Sequence, residues 1–234
     1  MKNKKLIIFG EGLYTEIAHQ YFNDDSEYEV VAFTKDDKYI ESDSYIGLPM
    51  VPFSQVQTLY PPEEFDRHVA VSYTNLNHLR ERVFYEAKEK GYFLPSYVSS
   101  KSSIMTKYPI GENCFIFEDN TVQPFVHVKD NVILWSGNHI GHHTTIEPHN
   151  FISSHVVVSG QCTVESNCFI GVNSTIGHMV KIGSETLVGA GSIITKNTEP
   201  GSVYVPAKST KLDRHSNTFK SVSYTHLTLP TTSS

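Results

Sequence analysis

The sequence predicts two domains, an α/β unit over residues 1–97 followed by a parallel β-helix over residues 98–199. Three observations carry that expectation. An aliphatic residue falls on every sixth position from Ile104 to Ile194, sixteen times without a miss. Near the N-terminus a buried-strand pattern, a glycine turn and an amphipathic helix follow one another within residues 5–22. The composition, 39% hydrophobic and 19% charged, is that of an ordinary folded chain.

Taken in order, Lys5-Leu-Ile-Ile-Phe9 reads as a buried strand, Gly10-Glu-Gly12 as a tight turn, and Leu13 to Phe22 as a helix. Tyr28 to Phe33 is the next strand, so this is half of a nucleotide-binding, Rossmann-like α/β unit. The two glycines permit a close turn and leave the helix N-terminus open to a phosphate, although Thr15 stands where a dinucleotide fingerprint has its third glycine. A third strand, His68 to Ser72, and a helix, Leu76 to Glu89, complete the unit. Tyr73, Asn75 and Arg80 follow that strand on the edge where open α/β sheets bind ligands; for Arg80 a solvated helix charge is the alternative.

The six-residue period begins as this unit ends. Helices repeat every 3.6 residues and strands every 2, so neither explains it. A triangular prism does: each hexad supplies one flat side and one corner, three hexads close a coil, and stacked coils line up the aliphatics inside. The position two before each aliphatic also points inward, and Cys114, Cys162 and Cys168 all occupy it, which reads them as small buried side chains. Asn120, Asn138 and Asn150 share that slot. Glycine often follows the aliphatic, as at Gly111, Gly141, Gly171, Gly177, Gly183 and Gly189, and is expected to relieve unusual backbone angles at the corners.

These hexads resemble the repeats of the left-handed parallel β-helix acyltransferases. The order of domains is similar to a bacterial sugar-acyltransferase family that includes sialic acid O-acetyltransferases and N-acetyltransferases of nucleotide-linked amino-deoxysugars. The resemblance implies acetyl-CoA as co-substrate, a nucleotide sugar held by Gly10, Gly12 and Asp36, and a homotrimer with its sites between prisms. By the motif Gly137-Asn-His-Ile-Gly-His142 it implies His142 as general base. One coil of 18 residues on stands Gly160, implied as the oxyanion donor. The acid that usually follows the base is His143 here, so Glu147 or the other histidines are left to orient it, with His139 and His155 as alternative bases. Gly160, Gly171, Gly189, Ala190, Gly191 and Lys208 match positions along the arm and phosphates of coenzyme A. Trp135 and Asn138 are expected near the same groove.

The resemblance implies an acetyl-CoA-dependent N-acetyltransferase, with O-acetylation of a sialic-acid-type sugar as the close alternative. From other classes come a non-catalytic β-helix scaffold and a metal enzyme of the γ-carbonic-anhydrase kind. Five histidines lie within residues 139–155, but spread over three prism faces they do not converge, and no metal is expected. A net charge of −6 without a basic cluster argues against nucleic acid. No apolar run approaches a membrane span, and a cytoplasmic location is expected. Residues 200–221 read as a C-terminal tail, and Val222 to Ser234 resembles a translated library adapter foreign to the fold.

Overall fold

A computed structural model of the chain describes residues 2–209 together with Lys211 and Asp213. The adapter-like segment Val222 to Ser234 lies outside the described residues. The N-terminal domain runs β1 (Lys4–Phe9), α1 (Leu13–Asp24), β2 (Tyr28–Lys35), β3 (Ser44–Tyr45), β4 (Leu48–Pro52), α2 (Val56–Leu59), β5 (Asp66–Val69) and α3 (His78–Glu89). These strands form one sheet in the order β3-β4-β2-β1-β5. All pairings are parallel except the β3–β4 hairpin, whose two-residue turn, Ile46-Gly47, has φ of 50° and 76° as tight hairpins require.

Strand alternation gives the sheet two apolar faces. Leu6 and Ile8 face α1, where they pack with Ala18 and Phe22. Ile7 and Phe9 face the opposite way, against Val83, Phe84 and Ala87 of α3. The expected third strand begins and ends two or three residues earlier than its sequence pattern, and its helix starts at His78. Asn75, Leu76 and Asn77 all adopt positive φ and block an earlier helix start.

From Tyr97 onward the chain winds into a prism with three walls of short parallel strands. The register is one coil of 18 residues throughout the regular part, as in Phe115↔Ile133↔Phe151↔Phe169. One wall has seven strands, one six and one four. The aliphatics from Val122 to Ile194 are buried in a single column, with Cys114, Cys162 and Cys168 among them. Asn138 and Asn150 sit inward as expected, each accepting a backbone N–H one coil on, from Val156 and Cys168, at 2.8 Å. The coil continues past residue 199: Val203–Tyr204 pairs with Leu187–Val188 as the last strand of the seven-stranded wall.

The corner glycines need a different reason from the one their spacing suggests. Left-handed backbone recurs every six residues from Asn113 to Gly191, but three positions after each aliphatic, on residues such as Asn131, His143, His149, Asn167 and Asn173. Asparagine and histidine tolerate that region better than most residues. The glycines beside the aliphatics have ordinary φ and serve close stacking instead. A Cβ on Gly111, Gly141, Gly171 or Gly183 would lie 2.4–2.7 Å from backbone of the next coil.

The N-terminal domain docks on the outside of the seven-stranded wall. Tyr97, Phe115, Ile133 and Phe151 point outward there at coil spacing and are buried against α1 and its sheet. A fully buried phenylalanine contributes roughly 1.5–3 kcal/mol through lost water contact, so this aromatic strip fixes the domain firmly. Among the described residues no helix is long and apolar enough to cross a membrane.

Candidate functional site

Docking leaves a cavity of about 850 Å³ between the glycine turn and the aromatic wall. Gly10, Gly12, Asp36 and Tyr73 line it from the N-terminal domain, and Trp135, Phe151 and Phe169 from the prism. The turn has the backbone the sequence suggested, with φ of 140° at Gly10 and 110° at Gly12. A Cβ on Gly10 would lie 2.6 Å from the Ala70 carbonyl oxygen and the Thr15 hydroxyl. That explains Thr15 in place of a third glycine: its buried hydroxyl donates to Ala70 O at 3.2 Å and ties α1 to the end of β5.

The cavity walls are chemically distinct. Tyr73 lays its ring edge-on against Phe151 and Phe169, at 5.1 and 5.2 Å between centroids, and Phe151 and Phe169 stack at 5.4 Å. At the far end Asp36 is paired with Arg82 at 2.7 Å, and Lys35 pairs with Glu11 beside the turn. The Gly12 N–H donates to the Tyr45 hydroxyl at 2.9 Å. Lys35, Tyr39 and Phe169 had no individual signal in the sequence, because their place depends on how two domains meet.

Two expected ligand contacts fall elsewhere. Asn75 is exposed and does not line the cavity. Arg80 is neither a ligand contact nor a solvated charge; it is fully buried where α3 meets the prism. Its guanidinium donates to the carbonyls of His149 and Asn150 at 3.0 and 3.1 Å, to Asn131 O at 3.4 Å and to Ser72 O. Burial lowers its pKa to about 10, so it remains a cation, neutralised by carbonyl dipoles. Asn77 extends the seam by donating to Cys168 O at 3.0 Å.

His142 and His143 stand at the corner that follows the six-stranded wall, both exposed. Gly160 stacks one coil beyond: a Cβ there would lie 2.7 Å from both Cε1 and Nε2 of His142. The Nε2 edge of the ring therefore covers a residue with no side chain. The Gly160 N–H makes no hydrogen bond to any described residue, while its carbonyl accepts from Met179 N at 3.1 Å. His142 is held by its own N–H, which donates to Gln123 Oε1 at 2.9 Å.

Glu147 does not reach this pair; the group in contact with the His142 ring is His143, Nδ1 to Nδ1 at 3.1 Å. The other histidines are dispersed. His155 covers Gly137, where a Cβ would meet its Nδ1 at 2.4 Å, and His139 lies on the six-stranded wall. His149 is buried at the α3 seam between Asn131 and Tyr85, and burial lowers its pKa to about 4. Gly171 stacks under Ala190, whose N would lie 2.5 Å from an added Cβ, and Gly191 turns the next corner with φ 74°. Gly189 approaches the final strand at Tyr204, and Lys208 is exposed beyond it.

Residues 161–196 match the family model described as the hexapeptide repeat of succinyl-transferase. Those residues carry a hexapeptide repeat. A search of curated proteins by sequence finds no match. The chain superimposes on the acetyltransferase domain of PglB from Neisseria gonorrhoeae FA1090, in complex with acetyl coenzyme A, with a TM-score of 0.77 and 24% identity over 86% of this chain and 95% of that one. PerB from Caulobacter crescentus, in complex with CoA and GDP-perosamine, gives a TM-score of 0.74 and 20% identity over 87% and 96%. These likenesses establish the shared fold, an α/β domain on a hexapeptide-repeat prism.

Proposed function

We propose that this hexapeptide-repeat protein is an acetyl-CoA-dependent N-acetyltransferase acting on a nucleotide-linked amino-deoxysugar. The observation that carries the proposal is the stacking of the His142 Nε2 edge on Gly160. It puts a proton acceptor beside a backbone N–H that makes no hydrogen bond among the described residues, at one corner of the prism. Acyl transfer needs both. The two solved neighbours were captured with acetyl coenzyme A and with CoA plus GDP-perosamine, which supports the same chemistry here.

The sugar nitrogen attacks the thioester carbon while its proton passes to His142 Nε2. Negative charge that develops on the carbonyl oxygen is met by the Gly160 N–H. The C–S bond then breaks, and the sulfur of CoA takes the proton back from Nε2. Gly171, Gly189, Ala190, Gly191 and Lys208 are assigned to the coenzyme, since Ala190 and Gly191 are small and exposed and leave the coil edge bare there for a pantetheine arm. Gly10, Gly12, Asp36 and Tyr73 are assigned to the nucleotide, in a Rossmann-like domain whose cavity ends in an aromatic wall suited to an apolar sugar face.

The prism is taken as left-handed, and the assembly as a cytoplasmic homotrimer. The trimer reading is supported by apolar side chains left outside the prism, Val157 and Ile193 on the six-stranded wall and Met179 and Val172 at its corners. The test is a panel of UDP-, GDP- and dTDP-linked amino sugars with acetyl-CoA, following free thiol. His142→Ala is expected to abolish turnover while retaining acetyl-CoA binding. Wild-type turnover in that variant, or no thiol release with any amino sugar, would overturn the proposal.

A further inference from the structure

Resting on that acyl-transfer reading, we infer that His143 is a positioning residue that accepts the His142 Nδ1 proton and so leaves the His142 Nε2 lone pair available as the base. The two rings are perpendicular, at 86°, with Nδ1 facing Nδ1 at 3.1 Å. His143 is itself fixed from two sides. Its backbone sits at φ 58°, and its ring stacks on Phe125 at 4.6 Å between centroids. Around the pair lie Gln123, Phe125, Gly160, Gln161 and the ring of His178, 6.5 Å from that of His142, and among the described residues no carboxylate is hydrogen-bonded to either ring.

A nitrogen-to-nitrogen contact of this length holds one proton. When His142 owns it, Nδ1–H donates to His143, the Nε2 lone pair of His142 is free over Gly160, and His143 carries its own proton on Nε2. When His143 owns it, His142 is protonated on Nε2 and has no lone pair for the substrate. Only the first arrangement is productive. In that arrangement the amine proton goes to His142 Nε2 as the C–N bond forms, and returns from Nε2 to the sulfur as C–S breaks. The Nδ1 proton stays on His142 throughout, and its bond to His143 strengthens while His142 is positive. This is the role a carboxylate plays in other histidine-based sites, filled here by a second imidazole.

Three variants and one control test the inference by thiol release as a function of pH. Asparagine and aspartate both tolerate the left-handed corner, so His143→Asn and His143→Asp keep the backbone. His143→Ala is expected to lower kcat on the order of tenfold, a part of the roughly 10²–10⁴ that a positioned base contributes. Its KM for acetyl-CoA should be unchanged. His143→Asp accepts without being able to donate, so it should retain kcat and move the acid limb of the kcat profile up by about one pH unit, because the carboxylate favours the imidazolium. His143→Asn should keep kcat within a few fold of wild type without that upward move. If all three variants keep the wild-type kcat and acid limb while His142→Ala is dead, His143 is only a corner residue and the inference is wrong. If His142→Ala turns over normally, the assignment of the base itself falls instead.

Discussion

Replacing Gly160 with alanine separates catalysis from folding at one atom. The added Cβ would lie 2.7 Å from Cε1 and Nε2 of His142, and 3.1 Å from Cδ2. Carbon contacts relax near 3.5–4.0 Å, so the ring must retreat by about 1 Å. It can do so cheaply, since His142 is exposed and Gly160 has ordinary φ. Unfolding free energy should then change by no more than about 0.5 kcal/mol. A displacement of about 1 Å at a reacting group costs on the order of 10²-fold in rate, or about 2.7 kcal/mol of transition-state stabilisation. Gly141→Ala is the matched contrast, because its Cβ would meet backbone: Gly160 N and Ser159 C at 2.6 Å and Ser159 O at 2.9 Å. Coils cannot swing aside, and overpacking of this kind costs roughly 1–3 kcal/mol of stability. Thiol-release kinetics and urea unfolding on both variants supply the assay. Wild-type kcat/KM in Gly160→Ala, or a stability loss there as large as in Gly141→Ala, would refute the assignment of Gly160 to the reacting centre.

Other expectations concern the frame around the site. Arg80→Met should destabilise the protein by roughly 1–3 kcal/mol in urea, because the buried carbonyls of Asn131 and His149 lose the guanidinium donor at the seam. The three thiols should resist Ellman's reagent at pH 8 in the native state and react after unfolding, since burial pushes Cys114 and Cys168 up to about 12 and raises Cys162 as well. His68 is fully buried, and burial lowers its pKa to about 4. Its folded value lies below the unfolded one near 6.5, so the unfolded state binds more protons between those limits. The stability it supplies is complete above about pH 6.5 and is lost, by about 3 kcal/mol, as pH falls toward 4. Urea midpoints at pH 7 and 5 should differ in wild type and differ less in His68→Phe.

The prism was legible because its rule is local. One inward aliphatic per six residues survives any change on the outside, and the cysteines and asparagines of the neighbouring slot followed from the same rule. The corners were misread for a physical reason: glycine answers both to backbone angle and to close approach, and only coordinates show that Gly111, Gly141, Gly171 and Gly183 answer to the second. A signal for the true left-handed positions was present in Asn113, Asn131, Asn167 and Asn173, which share one phase of the repeat. The stacking of Gly160 on His142 came directly from adding one coil. The cavity did not, since it lies between domains, and residues far apart in the chain such as Tyr39 and Phe169 meet only through the aromatic strip. The hairpin Ser44–Pro52 also escaped notice, because two-residue and five-residue strands beside exposed turns carry little periodicity. Arg80 misled because a helical arginine is ordinarily solvated, and nothing near it in sequence reveals the carbonyls it meets.

Strict 18-residue register has an evolutionary corollary. Loss or gain of one residue within a wall would slide every later side chain out of its column and put polar groups where aliphatics belong. Such a chain can change length only in whole circuits, or by bulging outward where two walls meet. Descendants of this gene should therefore differ in size by quantised steps, with any odd-length insertion confined to the prism's edges.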